Sequence, residues 1–153
     1  MTLNFKMAID SLNWKILNCI QKNARQPNTE IGRQVGISSP AVSERIKKME
    51  DAGIINGYFT VVSPYEAGYQ FKAIITLRAF MGKLKPFLEI VKTYDEVLNC
   101  YRITGNENIV MEVVLKNQKH LEAFIDQLII YGETKTQIVL SHVVKNNDLK
   151  PIK

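Results

Sequence analysis

The residues best placed to do chemistry fall in one short stretch, Ser38-Ser39-Pro40-Ala41-Val42-Ser43-Glu44-Arg45-Ile46-Lys47-Lys48-Met49. At the 3.6-residue period of a helix, Val42, Ile46 and Met49 lie within about 60° of one another and make an apolar stripe. Pro40, Ser43, Glu44, Lys47 and Lys48 lie roughly opposite, short polar groups first along the chain and long cations after them. On a helix laid in a groove of DNA, that order lets Ser39, Pro40, Ser43 and Glu44 approach base edges while Lys47 and Lys48 reach phosphates or guanines. Arg33, in the segment before, adds a cation for phosphate. Arg45 sits on the flank between the two faces, and two readings stay open for it: a phosphate or guanine contact, or an ion pair with Glu30 or Asp51. Lys47 and Lys48 can likewise be the solvated outside of a helical bundle, since surface charge is the default for a helix.

Groups for catalysis are sparse. His120 stands at a helix start and His142 within a strand-like run, and neither belongs to a metal-ligand spacing or a nucleophile motif. Cys19 and Cys100 are far apart in the chain, among apolar neighbours and outside any CxxC pattern, which reads as two reduced, buried, small hydrophobes. No metal, no cofactor and no enzymatic activity are expected.

The elements that must position these residues change character along the chain. Asp10 can cap a first helix whose Leu12, Ile16, Cys19 and Ile20 recur on one face. Pro27 and Asn28 end that pattern. Asn28 or Thr29 then caps a short second helix, TEIGRQV, before Gly36 supplies the positive φ of a tight helix-to-helix turn. Ser38, Ser39 and Pro40 open the third helix with capping hydroxyls and a first-turn proline, Glu44 is near enough to favour the N-terminal dipole, and Gly53 stops it. Two short helices joined by a glycine turn, the second with a polar outer face, form the helix-turn-helix pattern.

Beyond TVVSPYEAGYQ, residues 60 to 70, the period becomes strand-like. FKAIITLRAF (71 to 80) reads as a strand, Pro86 opens a helix carrying Phe87, Val91 and Tyr94, and VLNCYRIT (97 to 104) is a second strand. The tight turn Gly105-Asn106-Glu107-Asn108 leads into IVMEVVLK. Leu121, Phe124, Ile125, Leu128 and Ile129 mark a second helix, and TKTQIVLSHVV closes the domain. The order βαββαβ predicts a ferredoxin-like α/β sandwich, so the fold class is α+β: a three-helix helix-turn-helix domain over 1–59, a linker over 60–70 and the sandwich over 71–153. Ile74 and Phe80 are expected on one face of the first strand and Ile75 and Leu77 on the other, while Val110 and Val114 oppose Ile109, Met111 and Val113. Two apolar faces on a sheet with helices on one side predict an obligate dimer.

Taken together, the chain resembles the Lrp/AsnC (feast/famine) transcription regulators over nearly its whole length. The stretches that carry the resemblance are Asp10 followed by Lys15-Ile16-Leu17, Gln21-Lys22-Asn23-Ala24-Arg25, Val35-Gly36-Ile37-Ser38, Arg45-Ile46-Lys47-Lys48-Met49-Glu50, and Ala52-Gly53-Ile54-Ile55 with Gly57-Tyr58. The match continues through Thr104-Gly105 and Thr134 to Ser141. Resemblance implies DNA-binding homodimers that join through their C-terminal sheets, often into octamers, with small effectors, usually amino acids, bound between dimers. It also implies that residues 38–49 form the recognition helix. Two departures stand out. Asn13 occupies a position where the family often has an acidic residue, which predicts a local change of capping or ion pairing. Asn108 stands where many members carry the Asp of Gly-x-x-Asp, a carboxylate able to pair with an ammonium group. The effector pocket is expected at Gly105, Asn106, Glu107 and Asn108 with Thr134, Thr136 and Gln137; either Glu107 substitutes for the missing charge, or the ligand is atypical, or there is none. A polar turn beside a Thr-rich strand edge is also ordinary loop chemistry.

The bulk properties agree with this frame. The chain has 153 residues, 46% apolar and 23% charged, with a formal net charge of +5. This permits a polyanionic partner without requiring one. There is no signal-peptide order and no run of roughly 18 apolar residues, so a cytoplasmic protein without membrane contact is expected. The expected function is a sequence-specific transcription regulator on double-stranded DNA, reading a pseudo-palindromic operator and answering a small effector. The alternatives are an effector-blind architectural DNA-binding protein and a siroheme-decarboxylase-like enzyme, which resembles the same architecture. Leu3, Phe5, Met7 and Ile9 alternate with Thr2, Asn4, Lys6 and Ala8, and so predict a strand-like arm able to pair with the linker near Tyr58 to Val62; a disordered tail is the other reading.

Overall fold

The computed structural model describes residues 9–152. The arm expected over residues 1–8 lies outside the described residues. The chain divides into two compact units, residues 1–60 with 144–153, and residues 61–143.

The first unit holds α1 (Ser11–Lys22), α2 (Asn28–Val35) and α3 (Ser39–Asp51). Asp10 caps α1, accepting the Asn13 N–H at 2.6 Å. That bond and the Arg45 guanidinium beside it hold the Asp10 carboxyl below its usual range. The N-cap of α2 is Pro27, which offers no side-chain bond, so Asn28 and Thr29 are helical residues and not caps. Proline suits the place because its ring holds φ at −62° and it lacks the N–H that a helix start would leave unpaired. Ser38 caps α3, accepting from the Ala41 N–H at 3.4 Å.

The core of this unit is Ile16, Leu17, Ile31, Val42 and Met49, with Ile46 packed against it. Of the expected α3 stripe, Val42 and Met49 are therefore buried and Ile46 is half-buried. On α1 the buried face is centred on Asn13, Ile16 and Leu17 and not on Leu12. The inward turn of Asn13, which bonds Arg45 of α3, rotates the helix away from the face that apolar spacing alone predicts. Cys19 is half-buried and its thiol reaches Gln34 at 3.2 Å; Cys100 is also half-buried, so neither is the fully buried hydrophobe expected.

Gly36 takes the left-handed φ of 82° between α2 and α3. Gly32, one turn earlier, is the less obvious requirement. A Cβ there would stand 2.5 Å from the Ile37 carbonyl oxygen, and that backbone has little room to retreat, because the Gly36 and Ile37 N–H groups both bond the Gly32 carbonyl.

The second unit is a four-stranded antiparallel sheet in the order β2-β3-β1-β4, from β1 (Phe71–Ala79), β2 (Val97–Arg102), β3 (Ile109–Leu115) and β4 (Gly132–Ile138). With α4 (Leu84–Ile90), a 3-10 turn (Val91–Thr93) and α5 (Gln118–Leu128), it makes the ferredoxin-like order. Ala73, Ile75 and Leu77 of β1 and Ile109, Met111, Val113 and Leu115 of β3 are buried against Phe87, Val91, Phe124 and Leu128. Alternation puts Lys72, Ile74, Thr76 and Arg78 on the other face, beside Val110, Glu112 and Val114 in register. That face is less apolar than expected: Ile74, Val110 and Val114 are flanked by Glu112, which accepts from Asn99 at 2.8 Å and lies 3.8 Å from the Lys72 ammonium. Phe80 falls beyond the end of β1 and is exposed.

Gly32→Ala forces the α2–α3 turn apart, and the cost expected for such overpacking is about 1–3 kcal/mol. Urea unfolding followed by far-ultraviolet circular dichroism checks it; an unchanged midpoint would mean that the turn has slack.

Candidate nucleic-acid interface and ligand pocket

The polar face of α3 is held outward from three sides. Val42 and Met49 are buried beneath it, Ser38 fixes its N-terminus, and Arg45 ties its middle to the start of α1. Ser38, Pro40, Ser43, Glu44, Lys47 and Lys48 are exposed, as is Arg33 on α2, while Ser39 is partly covered. One ridge of the first unit thus presents short polar groups at the N-terminal end and cations further along.

The charges on that ridge are not equivalent. Lys48 is paired with Glu44 at 2.7 Å across one helical turn, and the ammonium holds the Glu44 carboxyl below its usual range. Among the described residues Lys47 and Arg33 have no ion-pair partner. Arg45 is different again. Its Nη1 donates to Asp10 Oδ2 at 2.8 Å and to Asn13 Oδ1 at 2.9 Å, so the structure bears out an ion pair but with neither Glu30 nor Asp51. Asn13 is 1% exposed, and the Arg45 guanidinium is the donor that satisfies its buried oxygen. At the far end of α3, the Tyr58 hydroxyl donates to Glu50 at 2.8 Å and so links the helix to the start of the linker. Neither contact was visible from spacing, because both join separate segments.

In the second unit, the turn Gly105-Asn106-Glu107-Asn108 is stitched to β1. Gly105 has φ of 115°, the Asn108 N–H donates to the Leu77 carbonyl, and Asn108 Oδ1 accepts the Ala79 N–H at 2.8 Å. The carboxamide oxygen of Asn108 is therefore committed to holding the turn. Beside it lies a polar pocket of about 250 Å³ lined by Thr76, Arg78, Asn106, Glu107, Glu133, Thr134 and Lys135. Lys135 pairs with Glu107 at 2.8 Å, an interaction that lowers the carboxyl pKa and raises that of the ammonium. Arg78 lies 4.0 Å from Glu133 across the β1–β4 pair.

The pocket brings together three of the residues expected there, Asn106, Glu107 and Thr134. Gly105 and Asn108 shape the turn without lining it, and Thr136 and Gln137 pair with Ile75 and Ile74 further along the strand. Thr76, Arg78, Glu133 and Lys135 were missed. Period-two alternation along β1 would have put Thr76 and Arg78 on one face, but only the register with β4 sets them beside Lys135 and Glu133. His120 is engaged elsewhere: Nδ1 accepts from the Lys116 N–H and Nε2 bonds Glu96 at 2.8 Å, which closes the loop before α5. No helix among the described residues is long and apolar enough to cross a membrane.

Each of the two units has counterparts among known proteins. Residues 9–56 match the winged helix-turn-helix DNA-binding family and residues 72–149 the Lrp/AsnC ligand binding domain. The transcriptional regulator LrpB of Bacillus subtilis is 32% identical over 142 residues, 92% of this chain and 94% of that protein. The structure of AsnC from E. coli superposes with a TM-score of 0.80 at 29% identity, covering 95% of this chain and 98% of the other. A transcriptional regulator of Neisseria meningitidis, solved in complex with L-Met, shares the fold with a TM-score of 0.87 at 23% identity, covering 94% and 97%. A capped, outward-facing α3 on the first unit and a sheet unit that matches a ligand-binding family along its length belong to one kind of protein: the chain is a member of the Lrp/AsnC family of DNA-binding transcription regulators.

Proposed function

We propose that the chain binds a pseudo-palindromic operator as a homodimer, or a higher oligomer up to an octamer, with α3 in the major groove of each half-site. The observation that carries this reading is the asymmetry of α3, whose Val42–Met49 face is buried while its Ser43–Lys47 face is bare. In this account Lys47 and Arg33 neutralise phosphates, Ser39, Pro40 and Ser43 approach base edges, and Ser38 keeps its cap. Glu44 and Lys48 act as a pair that DNA must open or meet together. Arg45 positions α3 through Asp10 and Asn13 and touches no base. Dimerisation is supported by the apolar linker, where Val61 is 79% exposed and Val62 66%.

The effector site is the pocket between the Gly105–Asn108 turn and β4. Its two cations, Arg78 and Lys135, and two carboxylates, Glu107 and Glu133, present balanced charge suited to a zwitterion such as an amino acid. Glu107 supplies the negative charge that Asn108 lacks. The effector would act by favouring one assembly state over another, a coupling typically of about 1–3 kcal/mol.

Lys47→Ala should weaken binding alike for all sequences and lower the slope of log affinity against log salt by about one unit. An unchanged slope with altered base preference would move Lys47 to a base edge. For the pocket, a ligand at about 100 times its Kd adds about 2.7 kcal/mol to the stability of the unit that holds it, enough to raise its melting temperature by several degrees. A thermal-shift screen of the twenty amino acids should find such a ligand, and Arg78→Ala should abolish its shift. No shift at millimolar concentration would leave an effector-blind DNA-binding protein.

A further inference from the structure

The first unit contains a groove that the DNA-binding account does not use. It has a volume of about 480 Å³, with Trp14, Leu17 and Ile20 of α1 on one side and Ile54, Ile55 and Phe59 on the other. At its rim the chain's last segment arrives. After β4 the backbone turns at Asn146, which has φ of 45° and is the one non-glycine with positive φ among the described residues. Leu149 then lies along α1, lining the groove. Its N–H donates to Gln21 Oε1 at 2.8 Å, and its carbonyl accepts from Gln21 Nε2 at 3.2 Å.

One carboxamide reading both the N–H and the C=O of a single residue is how a side chain imitates a neighbouring strand. It grips main chain, while the apolar trough beside it favours an apolar side chain at that position. The clasp is weak by design: both bonds are exposed, Leu149 is 74% exposed, and the segment beyond it carries a further apolar residue, Ile152, in solvent. Residues 144–152 therefore group with the DNA-binding unit, although the chain that leads to them comes directly from the sensing unit at Val143. The chain passes between the units twice, and the second passage ends in a reversible anchor.

We infer that residues 144–152 are a strap, closing on the Trp14–Ile54 groove through the Gln21–Leu149 clasp, by which the sensing unit keeps a second, releasable hold on the DNA-binding unit. The occupant is this chain's own C-terminal segment because its main chain is already paired at the rim. Strap release leaves the linker as the chain's remaining tie to the DNA-binding unit.

The full-length protein carries its own probe, since Trp14 is its one tryptophan and lines the groove. Three variants break the clasp differently: Gln21→Ala, Leu149→Pro, and a chain ending at Val144. Each should at least double the acrylamide quenching constant of Trp14 and red-shift its emission, with the far-ultraviolet spectrum unchanged. Each should also speed chymotryptic cleavage at the linker residues Tyr65 and Tyr69. Quenching unchanged in all three overturns the docking. Quenching that falls with protein concentration and ignores the variants assigns the groove to a second copy, and also overturns it. Raised quenching with unaltered linker cleavage overturns the tether.

Discussion

Beyond the packing of Val42 and Met49, the polar tie between α3 and the start of α1 runs through a single guanidinium. Arg45 meets Asp10 and Asn13 together, one carboxylate and one buried carboxamide at the first turn of α1. Asp10 is already committed as the cap of that turn, so the same carboxylate fixes where α1 begins and where α3 lies against it. Losing Arg45 would leave the Asn13 carboxamide without its donor in a buried place, a condition that costs about 1–3 kcal/mol. The asparagine matters because a second carboxylate there, as family resemblance suggested, would give Arg45 two anions to balance. One carboxylate and one amide hold the same geometry with less charge. The outer cations Lys47 and Arg33 take no part in that placement and have no ion-pair partner among the described residues.

The sheet unit follows a parallel logic. Asn108 sits where the resemblance placed an acidic ligand, yet its side-chain oxygen accepts the Ala79 N–H and its own N–H donates to the Leu77 carbonyl, so the residue pins the turn to β1. Rigid attachment of the turn is what lets Glu107 and Asn106 face Lys135 and Arg78 across a pocket. The carboxylate of this turn is Glu107, which lines the pocket, while Asn108 builds the turn without lining it. Any ligand there must compete with, or join, the Glu107–Lys135 pair.

Much of this was legible in the residues because helical and strand periods report burial directly. Val42, Ile46 and Met49 gave the inner face of α3, and the order βαββαβ emerged from where the period changed. What stayed hidden depends on contacts between segments. Leu17 joined the core and Leu12 did not, because a buried polar residue, Asn13, turned α1. Arg45 found Asp10, 35 positions away, and no spacing rule within one helix could choose it over Glu30 or Asp51. The pocket was half legible: the turn announced itself through Gly105, but Arg78 and Glu133 enter only once β1 and β4 are in register, and the same register removes Thr136 and Gln137.

The central claim, that Arg45 orients the recognition helix and does not itself touch DNA, is tested most directly by a double-mutant cycle. Affinity of the wild type, Asp10→Asn, Arg45→Gln and the double variant would be measured by fluorescence anisotropy on the fragment that the wild type selects from a random pool. If Arg45 acts through Asp10, the two losses are strongly non-additive, and the salt slope of Arg45→Gln equals that of the wild type. Additive losses, with a slope lowered by about one unit, would put Arg45 on a phosphate and contradict the account.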